Sequence, residues 1–211
     1  MGNAVVAIDD AAAEFGLPPV GDMLSILSEP SGLNAVRNII KIIDGKNGSW
    51  KYELSAIKLM PPIPRPRKIL GVALNYHDFC KRGKLETPEA LKVFAKMGTT
   101  VIGTGDLVRL QLGRKVTYEG ELAVVIGRVG KDIPKAEAFD YVAGYSILND
   151  LTANDVAKED IQLMRAKNYD TFCPMGPTLV TKDEIEDPYS LSIQTTVNGN
   201  IRQDSVVGQL I

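Results

Sequence analysis

The sequence predicts a mixed α/β protein, mainly β, in three parts: a small α+β N-terminal domain over residues 1–60, a proline-rich linker over 61–67, and a larger β-rich domain over 68–211. Three observations carry this reading. Leu33, Val36, Ile39, Ile40 and Ile43 fall at helical spacing ahead of the linker. PPIPRPR, from Pro61 to Arg67, forces an extended, stiff connection, because proline fixes its own φ and pushes its predecessor out of the helical region. Beyond it the chain breaks into short apolar, β-branched runs bounded by turn residues.

In order, the N-terminal part predicts a strand at Ala4 to Ile8, a brief helix near Asp10 to Phe15, another after Asp22, and the amphipathic helix through Ile43. Ser31 is placed to cap that last helix and Gly45 to stop it. The second part predicts strands at Lys68 to Leu74, Val101 to Ile102, Leu107 to Leu110, Val116 to Ile126, Val142 to Leu148, Thr178 to Thr181 and Leu191 to Val197. Asn198-Gly199 is the strongest hairpin signal in the chain. One helix interrupts the strands, announced by the capping-box spacing Thr152-Ala-Asn-Asp155 and running to about Met164.

The chain has 211 residues, 45% hydrophobic and 24% charged, enough to bury a proper core. A formal charge of -2 gives no electrostatic footprint for nucleic acid or acidic lipid, and the basic knot Arg65-Pro66-Arg67-Lys68 reads as a solvated lead-in to a strand. No apolar run approaches the ~20 residues of a membrane span and no secretion signal opens the chain, so a cytoplasmic protein is expected. MGNAVV has Val6 where a myristoylation site wants Ser or Thr. Cys80 and Cys173 stand far apart and read as reduced packing residues. SVVGQLI ends on apolar Leu210 and Ile211, as though an element were cut short, so the expectation is an incomplete domain.

VTYEGELAVVIG, residues 116–127, contradicts itself. Leu122 to Ile126 reads as a strand covered on both faces, yet Glu119 and Glu121 open it. Side chains two apart on a strand point the same way, so the carboxylates share a face and repel. Protonating one, or placing a cation between them, relieves this. Most such pairs simply face solvent. A further acid, Asp150, ends the next strongly apolar strand, where an Asn-Asp pair ordinarily makes a turn. Three carboxylates on neighbouring strands would suit Mg²⁺, Mn²⁺ or Ca²⁺, whereas a single histidine and unpaired cysteines disfavour zinc. Lys167, near the end of the helix, either complements the C-terminal dipole or polarises a substrate carbonyl. GxSxG, HExxH and Walker A motifs are absent, and Gly103-Thr104-Gly105-Asp106 lacks the third glycine of a dinucleotide fingerprint. A catalytic triad would have to use His77, the sole histidine.

KILGVALNYHDFC, VTYEGELAVVIGRVGKDI, DYVAGYSILNDLTAND, KNYDTFCPMGPTLVTKDEI and DPYSLSIQTTVNGNIRQ, in this order, resemble the fumarylacetoacetate hydrolase family from about Pro61 to Ile211. The resemblance implies rolled, mixed β-sheets, a homodimer, and a divalent cation, Mg²⁺ or a similar ion, on acids that fall here on Glu119, Glu121 and Asp150. It implies 2-oxo acid or β-dicarbonyl acid substrates, nominal C–C bond hydrolysis, and Lys167 as the substrate-side lysine. Relatives decarboxylate, isomerise, hydrate or dehydrate.

The departures from the family pattern matter as much. The lid histidine and glutamate that activate water fall on Phe79 and Arg82, and His77 lies two residues earlier, about 200° round a helical lid. Only an extended lid would let His77 serve as the base. The arginine and glutamine that face substrate fall on Asn154 and Ala157, and a closing GTP-type loop has no counterpart. Loss of a general base costs roughly 10²- to 10⁴-fold, so lyase chemistry (decarboxylation of an oxaloacetate-type acid or dehydration of a 2-keto-3-deoxy acid) competes with hydrolysis. A non-catalytic metal-binding relative is the alternative of another class.

Overall fold

The computed structural model describes residues 4–29 and 31–211. The chain forms two compact units. The first takes the described residues up to Leu59 together with Ile126–Ala143, and the second takes Met60–Val125 with Gly144–Ile211. Pro61, Pro62 and Ile63 are buried inside the second unit, so the proline-rich stretch begins just after the change of unit.

In the first unit, β1 (Ala4–Val6) pairs antiparallel with β2 (Lys51–Glu53). Between them run α1 (Ile8–Glu14), α2 (Met23–Ser28) and α3 (Gly32–Ile43). Ala11, Ala12, Ile39, Ile43 and Trp50 form the core. The Asp22 carboxylate caps α2 by accepting from the Ser25 N–H at 2.8 Å. Ser31 makes no such bond for α3, and Ile40, expected on the apolar face, is 49% exposed. Gly45 does follow the helix in the left-handed region, at φ 70°. Residues 126–143 close on themselves through Gly127 N–H to Tyr141 C=O, 2.9 Å, with Arg128 over the Tyr141 ring.

The second unit opens with β3 (Ile69–Ala73), α4 (His77–Gly83) and β4 (Lys92–Lys96), the two strands antiparallel with Ile69 opposite Lys96. Then come β5 (Val101–Ile102), β6 (Val116–Thr117), β7 (Gly120–Ile126) and β8 (Val142–Asn149), of which Ile126, Val142 and Ala143 are counted with the first unit. β9 (Thr152–Ala153) leads into α5 (Asn154–Ala157) and α6 (Met164–Lys167). β10 (Cys173–Pro174), β11 (Val180–Thr181), β12 (Ser192–Val197) and β13 (Asn200–Val206) complete it. β11, β8 and β7 form a three-stranded sheet, β10 runs parallel to β5, and β6 runs antiparallel to β9. β12 and β13 make the expected hairpin: Asn198 and Gly199 both have positive φ, 50° and 78°, as a two-residue turn of right-handed twist requires. The core is Leu151, Ala153, Val156, Ala166 and Phe172.

Three sequence expectations are corrected here. Leu107 to Leu110 is not a strand; only Val108 packs against the core, and Leu107 is 85% exposed. The long strand Val116 to Ile126 is broken at Tyr118–Glu119, and β7 lies at the edge of its sheet with Val124 and Ile126 exposed, so the apolar run is covered on one face only. The helix expected from Thr152 to Met164 is instead two single turns, because Thr152 is spent in β9 and its hydroxyl bonds elsewhere. No helix among the described residues is long and apolar enough to cross a membrane.

Candidate active site

The break between β6 and β7 creates the site. Glu119 leaves the β6–β9 ladder, and both of its backbone groups find partners at the end of β8. Its N–H donates to Asn149 Oδ1 at 3.1 Å, and its carbonyl accepts from the Asp150 N–H at 2.8 Å. Gly120, next along, is bonded on both backbone groups by the Gln203 side chain, at 2.9 Å and 2.6 Å. A buried segment that quits one ladder must satisfy its polar groups elsewhere, and here two side-chain amides and one backbone amide do so.

Glu119 and Asp150 then converge on one ammonium. Lys167 Nζ donates to Glu119 Oε2 at 2.7 Å and to Asp150 Oδ2 at 2.6 Å. The Thr152 hydroxyl donates to the other Glu119 oxygen at 2.8 Å. On the far side of Asp150 stands a second ammonium, Lys96 Nζ, 2.9 Å from Oδ1, which also donates to the Lys167 backbone carbonyl. The Lys96, Lys167 and Asp150 side chains are 2%, 5% and 8% exposed, and Glu119 is 37% exposed. The Lys167 ammonium also lies 4.8 Å from the centre of the Phe94 ring. Buried charges of this kind persist only when paired and hydrogen-bonded.

Glu121 enters the same electrostatic field. Burial first, then the charges of Glu119 and Asp150, push its carboxyl up to about 7, against the pull of Lys167. Tyr76, half-buried, has its phenol pushed up to about 12 by burial and then by the charges of Glu121 and Asp78, so it stays a hydrogen-bond donor. Burial similarly pushes the Cys173 thiol up to about 11.

Of the residues singled out in the sequence, Glu119, Asp150 and Lys167 form one hydrogen-bonded unit with Glu121 electrostatically coupled to it. His77 stands elsewhere. It is the first residue of α4, exposed, on a shallow cavity of about 390 Å³ lined also by Asp78, Lys81, Asp204, Ser205, Val206 and Gln209. None of these belongs to the acid–lysine cluster. Phe79 and Arg82, which the resemblance aligns with a lid pair, are exposed on α4, with Arg82 bonded to Asp78 at 3.4 Å. Sequence reading missed Lys96, Tyr76, Thr152 as an acid partner, and Gln203. Lys96 left one signal: in KVFAK, Phe94 and Lys96 share a face, and a lysine on an apolar strand face needs a partner. Gln203 left none, since its partner lies 83 residues away.

Among the described residues no three His, Cys, Asp or Glu side chains close into a ready-made metal cage. The donor chemistry nevertheless fits a hard cation. All the candidate donors are carboxylate oxygens, Asp150 is held by the Lys96 and Lys167 ammoniums, and the negative charges of Glu119 and Asp150 act on Glu121.

A sequence profile of the fumarylacetoacetate (FAA) hydrolase C-terminal domain matches residues 68–211. The chain belongs to the fumarylacetoacetate hydrolase family. It is 44% identical over 169 residues to the oxaloacetate tautomerase YisK of Bacillus subtilis (strain 168), covering 78% of this chain and 56% of that protein. Among solved structures it is similar to the 5-carboxymethyl-2-hydroxymuconate delta-isomerase of Mycobacterium smegmatis (TM-score 0.68, 38% identity, 79% of this chain and 63% of that one). It is also similar to the maleylpyruvate hydrolase of Sphingobium sp. SYK-6 in complex with manganese (II) ion and pyruvate (TM-score 0.77, 28% identity, 100% and 73%). The chain thus spans little more than half the length of YisK. The mixed α/β fold expected from the sequence is the fold of this family, and the similar maleylpyruvate hydrolase holds a divalent metal ion and pyruvate, a 2-oxo acid.

Proposed function

We propose that the chain carries the catalytic site of an enzyme that interconverts the keto and enol forms of a 2-oxo acid, of the oxaloacetate class. The carrying observation is the buried Lys167 ammonium held between Glu119 and Asp150, 2.7 Å and 2.6 Å away, on a protein with Phe79 and Arg82 at the two α4 positions that the resemblance assigns to a water-activating pair. Glu119, Glu121 and Asp150 are the residues that would hold a divalent cation, Mg²⁺ or Mn²⁺ or Ca²⁺. When bound, such an ion supplies Lewis-acid stabilisation of charge on the 2-oxo oxygen. Lys167 has the position and charge to bind a substrate carboxylate and orient it for enolisation. Lys96 fixes the other face of Asp150, so that Asp150 keeps one orientation. Phe94 forms an apolar wall beside the ammonium.

The resemblance to YisK, named an oxaloacetate tautomerase, and to an M. smegmatis delta-isomerase supports proton-transfer chemistry. C–C hydrolysis, the family's nominal reaction, needs an activated water, and Phe79 and Arg82 cannot activate one. Decarboxylation shares the enolate and is separated by its product.

The test follows the ultraviolet absorbance of enol oxaloacetate with Mn²⁺ present. Wild-type protein is expected to speed conversion to the keto form, and Lys167→Met to lose roughly 10²- to 10³-fold of that rate, the usual loss for one pre-placed charge-stabilising donor. Unchanged conversion over the spontaneous rate, or release of CO₂ at the same rate as enol decay, would overturn the tautomerase reading.

A further inference from the structure

The acidic pair flanks Gly120, and Gly120 is gripped by a residue from the C-terminal hairpin. Gln203 sits on β13 directly opposite Thr195 of β12. Its amide oxygen accepts from the Gly120 N–H at 2.9 Å, and its amide nitrogen donates to the Gly120 carbonyl at 2.6 Å. The Thr195 hydroxyl donates to the same amide oxygen at 3.0 Å, which leaves the amide a single orientation. Glycine is required at 120 for this approach: a Cβ there would lie 2.4 Å from Thr195 Oγ1 and 3.3 Å from Gln203 Oε1.

With the two bonds from Asn149 and Asp150, all four backbone polar groups of Glu119-Gly120 are assigned, two to those residues and two to Gln203. A side-chain amide reproduces the donor–acceptor pair of a neighbouring strand at one residue only. The carboxylates of Glu119 and Glu121 therefore leave from a backbone held at Gly120, between them, by Gln203 and at Glu119 by Asn149 and Asp150. No other side-chain type does this at the same length. Glutamate offers two acceptors and would oppose the Gly120 carbonyl, leucine offers neither group, and asparagine is one methylene short.

We propose that Gln203 is a positioning residue for the acidic pair: by clamping both backbone groups of Gly120 it sets where the Glu119 and Glu121 carboxylates stand, and so the affinity of the site for a divalent cation. This rests on the proposed function. Groups that orient metal ligands from outside typically change metal affinity by about 10- to 100-fold when removed.

The test compares the wild-type chain with Gln203→Leu, with the same-sized Gln203→Glu, and with Gly199→Ala. The last strains the hairpin turn at φ 78° without touching the clamp, and so serves as a stability control. Mn²⁺ affinity is measured by calorimetric titration, amide exchange at Gly120 by NMR, and kcat and KM separately with oxaloacetate. Gln203→Leu is expected to weaken Mn²⁺ binding about 10- to 100-fold, to speed Gly120 exchange, and to lower kcat more than it raises KM. Gln203→Glu keeps one of the two bonds and is expected to fall between, which keeps the test open if the leucine variant does not fold. Gly199→Ala is expected to leave Mn²⁺ affinity within about twofold at a comparable loss of melting temperature. Wild-type affinity in Gln203→Leu, or an equal loss in Gly199→Ala, overturns the proposal. If wild-type protein binds no Mn²⁺ at all, the functional reading falls first, and equal Gly120 exchange in Gln203→Leu and Gly199→Ala then overturns the clamp independently.

Discussion

Two regions of the second unit carry charge in opposite ways. In the acid–lysine cluster, Lys96, Asp150 and Lys167 are almost wholly buried and each charged group has at least two polar neighbours at short range. On α4, the Arg82–Asp78 pair is long, at 3.4 Å, with side chains 59% and 29% exposed, and His77 faces solvent. The difference teaches where chemistry can be done. In the cluster, little water screens the ammoniums, so they act strongly on the Asp150 carboxylate between them; on α4, solvent damps every charge. The proposed keto–enol chemistry draws on the first arrangement, and a base on α4 would belong to the second.

The largest expected effect breaks the cluster. Asp150→Ala leaves the Lys96 and Lys167 ammoniums buried without their shared carboxylate, and should cost about 3–5 kcal/mol in urea unfolding. Arg82→Ala on α4 should cost less than about 1 kcal/mol in the same measurement. Equal costs would mean the two regions do not differ in the way their burial implies. Adding Lys96→Met to Asp150→Ala should recover part of the loss, since it removes one of the stranded charges.

Cys173 sharpens the contrast from inside. Its thiol is fully buried and pushed up to about 11, chiefly by burial, with Lys96 pulling it down and Asp150 pushing it up. Ionisation is therefore harder in the folded protein than in the unfolded chain, so the unfolded state loses its proton first. Stability should fall as pH rises from about 9 toward 11 and level off beyond, by on the order of 2 kcal/mol from this group. The slope over that window should flatten in Cys173→Ala. An unchanged slope would show that the thiol is not held in a dry interior.

The hairpin and α3 were readable because their signals are local: Asn198-Gly199 is its own turn, and the heptad-like spacing through Ile43 is its own face. Glu119, Asp150 and Lys167 were reachable through family motifs, and through one physical clue, acids set against an apolar strand. The break at Tyr118–Glu119 was not readable. It exists because Asn149, Asp150 and Gln203, from distant parts of the chain, replace ladder bonds that periodicity assumes to be continuous. Thr152 was misjudged for a related reason. Its spacing to Asp155 fits a helix cap, but a hydroxyl 2.8 Å from the Glu119 carboxylate is drawn to the charge instead. Leu107 and Leu110 show the reverse error, apolar residues that satisfy a strand pattern while the backbone there finds no partner strand.

The smallest expected effect is also the one that separates the two chemistries. α4 is helical from His77 onward, so His77 and Phe79 are separated by about 200° around the axis, and the side that carries Phe79 is the one on which the family places its base. His77 points instead toward the shallow cavity beside Asp204 and Gln209. His77→Ala should therefore leave keto–enol conversion of oxaloacetate within about threefold of wild type, against the roughly 10²- to 10⁴-fold that loss of a working base brings. A hundredfold fall would mean that α4 unwinds when substrate binds and delivers the histidine to the cluster, and the exposed helix would then belong to the reaction as much as the buried charges do.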